Sequence, residues 1–126
     1  MRLIVLDPGM LHFSGHHFGF NLALREACRD RGIETLFLVN AACAGPARAA
    51  LDGVRCFEHL TYARPQVDEF DLLLATHLMQ NGTFEQNLRS RAPQAFDADD
   101  LVFAHTITSD QILGLLRWYR DLPEPR

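Results

Sequence analysis

The sequence predicts an α/β fold: a Rossmann-like three-layer α/β/α domain with a small parallel sheet of about four strands in the order 3-2-1-4. Two observations carry that expectation. Leu3–Leu6, Leu36–Val39 and Leu101–Ala104 are short continuous apolar runs, the pattern of strands covered on both faces. Stretches of helical period separate them, and alternating strands and helices favour a parallel sheet with helices on both sides. At 126 residues, 48% hydrophobic and 22% charged, the chain has the material for one core, so residues 1–126 are read as a single domain.

Taken in order, Leu3-Ile4-Val5-Leu6 is the first strand, and Asp7-Pro8-Gly9 turns the chain. The next helix places Phe20, Leu24, Ala27 and Cys28 at i, i+4, i+7 and i+8, one apolar stripe, with Arg25, Arg29 and Asp30 opposite and Gly32 as the stop. Leu36–Val39 is the second strand. Gly45-Pro46 starts a short helix through Ala47, Ala50 and Leu51, and the more polar Val54–Phe57 suits a strand nearer the sheet edge. From Glu69 to about Ala92 the chain reads as helix, with Leu74, Leu78, Phe84 and Leu88 facing inward and a possible bend at Asn81-Gly82. An acidic loop, Pro93 to Asp100, leads to the strand Leu101–Ala104. Thr108-Ser109-Asp110-Gln111 then fits a capping box ahead of Ile112, Leu115, Leu116 and Tyr119 at helical spacing. The exit Asp121–Arg126 normally leads to another strand, and the fourth strand is left as an apolar edge. The expectation is an incomplete domain or an oligomer that covers that edge.

Composition narrows the chemistry. A net charge of −4 argues against a nucleic-acid partner. Every basic residue is arginine, which excludes a phosphate-loop lysine, a Schiff base and a lysine general base. Cys28, Cys43 and Cys56 lack C-x-x-C spacing and read as small core residues. No run approaches the roughly 20 apolar residues that cross a bilayer, and the N-terminal run is too short for a signal peptide. A cytoplasmic location is expected.

In a doubly wound sheet, ligands sit beyond the carboxyl ends of the strands at the point where strand order reverses, here between the first and fourth strands. Two loops should meet there: Asp7 to His17, and His105-Thr106-Ile107-Thr108. Ser14-Gly15 before a helix offers backbone N–H groups and a positive dipole end to phosphate, as an ordinary helix start also would. His105, directly after an apolar strand, is the candidate catalytic residue, able as a neutral imidazole to hold a hydroxyl or move a proton. Ser14, Gly15, His16 and Thr106 are the candidate substrate- or phosphate-binding residues. Neighbours on a helix diverge by about 100°, so one of His16 and His17 should face the cleft, and His16 is closer to the turn. With no carboxylate or cysteine completing an obvious set beside His16, His17 and His105, no metal is expected. Asp7 reads as a turn former that could also meet a hydroxyl. His12, His59 and His77 show no ligand spacing.

The loop Ser14-Gly15-His16-His17, the helix Phe18-Gly19-Phe20-Asn21-Leu22-Ala23-Leu24-Arg25-Glu26-Ala27 with Arg31-Gly32, and the segment Asp100-Leu101-Val102-Phe103-Ala104-His105-Thr106 together resemble the opening half of GT-B glycosyltransferases of the family 4 type. Ser14 stands where that family often has glycine, and Phe103 replaces the first histidine of its pair. The resemblance implies two Rossmann-like halves across a cleft. This N-terminal one takes a sugar, lipid or polysaccharide acceptor, and a C-terminal one, beyond this chain, holds the nucleotide-sugar donor. Gly15 would lie near the donor's diphosphate and His105 near the transferred sugar. It implies no cofactor and no transfer by this half alone. A stand-alone flavodoxin-like or receiver-like interaction module is the alternative, although a receiver would want a lysine.

Overall fold

The computed structural model describes residues 1–61, 68–92 and 96–122. Four parallel strands, β1 (Arg2–Asp7), β2 (Glu34–Asn40), β3 (Val54–Phe57) and β4 (Leu101–Ala104), form one sheet in the order β3-β2-β1-β4. Four helices, α1 (His16–Arg29), α2 (Gly45–Ala50), α3 (Phe70–Arg91) and α4 (Ser109–Arg120), complete the described fold. The expected fold class and strand order are both present. Parts of the acidic loop (93–95) and of the C-terminal exit (123–126) lie outside the described residues.

The continuous apolar runs serve both faces, because successive strand residues point to opposite sides. Ile4, Leu6 and Leu38 pack with Phe57, Phe84, Leu88 and Trp118 beneath α3 and α4. Val5, Phe37 and Val39 pack with Met10, Ala47 and Leu51 beneath α1 and α2. Register aligns these rows: Val5 lies beside Phe37 on one side and Phe103 on the other. All three cysteines are buried thiols, and burial pushes Cys56 up to about 12 against the weaker pull of Arg91.

Three helix faces differ from the periodic reading. On α1 the buried positions are His17, Asn21 and Cys28, while Phe20 is exposed. The stripe is rotated because a buried carboxylate at the end of β1 draws in His17 and Asn21. On α4 the buried residues are Gln111, Gly114 and Trp118, and Ile112, Leu116 and Tyr119 face outward. The capping box is present, with the Thr108 N–H donating to Gln111 Oε1 at 3.1 Å.

On α3, Phe84 and Leu88 are buried as expected, but Leu74 and Leu78 are exposed, together with Phe70, Leu72, Leu73 and Met79. The helix runs unbroken through Asn81-Gly82. Asn81 does not break it, because its side chain reaches the neighbouring helix: Nδ2 donates to the Ser109 carbonyl, and Oδ1 accepts from the N–H groups of Leu113 and Gly114. Glycine at 114 permits that approach, since a Cβ there would sit 2.2 Å from the Asn81 carbonyl oxygen. No helix among the described residues is long and apolar enough to cross a membrane.

Candidate functional site: a carboxylate among imidazoles at the sheet edge

The site grows from the last residue of β1. Asp7 is wholly buried, and each of its oxygens is engaged. Oδ1 meets His17 Nδ1 at 2.7 Å and accepts from the Gly9 N–H at 3.2 Å. Oδ2 accepts from Asn21 Nδ2 at 2.7 Å and meets His105 Nδ1 at 3.2 Å. Removing a carboxylate from water is costly unless its lone pairs are satisfied, and these four contacts satisfy them. Asp7 does form the expected turn through Gly9, but its larger role is to join the N-terminal loop, α1 and the end of β4.

Each contributing residue is placed by its element. His17 and Asn21 are four apart on α1 and therefore stack on one face, directed at the strand end. The His17 ring lies against Gly9, where an added Cβ would come within 2.5 Å of its Cε1, so the turn needs a residue without a side chain. His105 follows β4, and its N–H extends the ladder to the Leu6 carbonyl at 2.9 Å. Its ring stacks on Phe20, with centroids 4.5 Å apart and planes at 10°. That contact accounts for the outward turn of Phe20.

His16 and His17 converge, contrary to the expectation that only one faces the cleft. Their ring centroids are 4.2 Å apart, and those of His16 and His105 are 6.0 Å apart. His16 is exposed and His17 buried, so the residue read as the surface member of the pair is the inner one. Burial holds the His17 imidazole below its ordinary value of 6.5, the Asp7 carboxylate opposing, which favours a neutral ring at neutral pH.

Two backbone positions beside these rings are conformationally special. Gly15, the N-cap of α1, has φ 88° and ψ 177°, a region essentially reserved for glycine, and no side chain caps the helix. Thr106 has φ 58°, rare for a β-branched residue. Gly15 adopts its conformation without strain, whereas at Thr106 the backbone costs on the order of 1–3 kcal/mol that the surrounding structure must offset. Ser14 does not cap α1; its Oγ lies 2.6 Å from His12 Nδ1 at the exposed rim.

Gly9, Leu11, Ser14, Gly15, His16 and Leu60 help to wall an open cleft of about 420 Å³ in front of His17. Asn40, buried at the end of β2, donates to the carbonyls of Pro8 and His59, which adjoin the lining residues Gly9 and Leu60 in the chain. A second cavity of about 290 Å³ lies between α3 and α4, beside the pair His77 Nδ1–Asp110 Oδ1 at 2.6 Å.

Of the sequence candidates, Gly15, His16 and His105 come together with Thr106 adjoining, while Ser14 sits at the rim. Asn21 and Asn40 were not foreseen. The available signal for Asn21 was its i+4 spacing from His17, ahead of which Asp7 ends a strand. Compared with protein-family models, curated proteins and solved structures, the chain matches none.

Proposed function

We propose that this chain is the acceptor-side half of a nucleotide-sugar-dependent glycosyltransferase of GT-B type, with the donor held mainly by a second half. The observation that supports it is the meeting of two distant segments at the carboxyl ends of β1 and β4: Asp7 and His105, 98 residues apart, share a hydrogen bond beside the Gly15 loop. In this reading His105, oriented by Asp7 and Phe20, accepts a hydrogen bond from the acceptor hydroxyl that attacks the sugar. Gly15, His16, Ser14 and Thr106 provide donors for phosphate at the start of α1, where the helix dipole favours negative charge.

The test is sugar transfer from labelled nucleotide-sugar donors by a polypeptide joining this segment to a donor-binding half. His105→Ala should lower turnover by about 10²-fold, the scale of a lost proton-handling group. Unchanged turnover in that variant would remove His105 from the mechanism.

A second reading, a stand-alone interaction module, is favoured by the exposed Phe70, Leu73, Leu74 and Leu78 on α3 and by Leu101 and Phe103 on the β4 edge. It predicts an association, with itself or another protein, that Phe103→Lys or Leu74→Asp abolishes. Sedimentation velocity measures the homo-oligomer case.

A further inference from the structure

We propose that His16, His17 and His105 bind a single transition-metal ion of the zinc type at the mouth of the sheet. This goes beyond sugar transfer, and its measurement does not depend on it. With Nδ1 of His105 on Asp7, the ring has one lone pair, so ligating a metal and accepting from an acceptor hydroxyl are alternative roles for it.

Three observations carry the assignment. First, the potential ligand nitrogens of these three residues lie within 4.8 Å of one another. A tetrahedral site with metal–nitrogen bonds of about 2.0–2.1 Å separates its nitrogens by about 3.4 Å. At its widest the trio is therefore within about an ångström and a half of that spacing, and His16 is the exposed ring of the three.

Second, the carboxylate that spacing alone does not reveal is Asp7, ten residues before His17. It stands behind the rings, one oxygen on Nδ1 of His17 and the other on Nδ1 of His105. A carboxylate at Nδ1 places the proton there and the lone pair on Nε2, and it raises the ligand's basicity. This is the usual device for orienting a metal-bound histidine. The contacts from Asn21 and Gly9 hold the carboxylate itself.

Third, the rings are set in place by packing. Phe20 stacks on His105, and Gly9 makes room for His17. Adjacent imidazoles at a helix start, such as His16 and His17, would ordinarily diverge, yet these converge toward a ring from another segment.

Donor chemistry selects the metal class. Imidazole ligands suit zinc, cobalt, nickel and copper, whereas magnesium and calcium want oxygen. Three histidines would leave a fourth position for water or a ligand oxygen, as in open rather than closed zinc sites, and two of the three, His16 and His17, line the cleft.

The experiment is titration of the metal-free 126-residue chain with Zn²⁺ against a chromophoric chelator, and with Co²⁺ followed by visible absorption. The expected result is one equivalent bound, with the intense visible bands of four- or five-coordinate cobalt and no competition from Mg²⁺. His16→Ala, at an exposed position, should weaken Zn²⁺ binding by at least 100-fold while the circular dichroism spectrum is unchanged. Asp7→Asn should weaken it 10- to 100-fold. Should His105→Ala fail to fold, His105→Gln supplies the same comparison. Weak or multiple binding, or binding that His16→Ala and His105→Gln leave unaltered, would overturn the assignment. No sugar or nucleotide enters this measurement, so its failure and that of the transferase reading are separable.

Discussion

Two regions of this molecule solve the problem of close packing in opposite ways. Where β1, β4 and α1 meet, the interior is polar: buried Asp7 is hydrogen-bonded to buried Asn21 and His17 and to His105. Where α3 meets α4, a glycine lets two backbones approach, one asparagine bridges them, and a row of apolar side chains remains outside. The α3–α4 contact is about shape, and it contributes stability. A buried carboxylate is costly unless its lone pairs are matched, so the contacts of Asp7 fix the position of the two rings it holds. Rigid placement of titratable groups at the open end of a parallel sheet is what a binding site requires.

The sharpest way to break the α3–α4 half is Gly114→Ala. The added carbon would fall on backbone that cannot rotate away, and the helices must separate. A loss of about 3 kcal/mol or more is expected by urea denaturation, at the upper end for overpacking. Asp7→Ala attacks the other half. It removes the acceptor shared by Asn21 and two imidazoles and should cost about 2–3 kcal/mol by the same measurement. Unlike Gly114→Ala, it should also abolish ligand binding at the cleft under conditions where the chain stays folded.

Much of this was legible beforehand, and the exceptions have physical reasons. Strands β1 and β2 followed from apolar runs, since burial on both faces leaves a continuous signal, and the strand order followed from doubly wound topology. β4 has the same kind of run but, as an edge strand, leaves Leu101 and Phe103 exposed rather than covered on both faces. The inner face of α1 did not, because periodicity counts hydrophobic side chains and the residues that turn inward are His17 and Asn21. A polar residue is buried only when its partner is, and Asp7 resembles any aspartate before Pro-Gly. Gly114 misled in the complementary sense. Its lack of a side chain makes it invisible to a hydrophobic stripe, although it sits at the closest point of the α3–α4 contact. That the turn after the first strand and His105 meet was readable from topology.

Smaller effects sharpen the contrast. Gly15→Ala should cost about 1–3 kcal/mol by thermal denaturation through backbone strain alone, because nothing lies within 4 Å of the new carbon. The smallest concerns the opposite, amino-terminal end of the sheet. Burial of Asp100 would raise its carboxyl, but the 2.7 Å Arg2 contact and the Asp97 N–H outweigh that and hold it below 3.8. A depressed value in the folded state means the unfolded chain binds the proton more readily, so this stabilisation is full above pH 3.8 and fades as pH falls below it. Asp100→Asn should therefore lower the Tm at pH 7, and the difference from the parent should shrink on acidification below pH 3.8.

The central claim is that one buried carboxylate gathers imidazoles from the two ends of the chain. Long-range ¹H–¹⁵N correlation spectra of the histidine rings test it directly. The account predicts that the neutral rings of His17 and His105 both carry their proton on Nδ1, and that Asp7→Asn alters both rings together. Protons on Nε2, or one ring changing while the other does not, would contradict it.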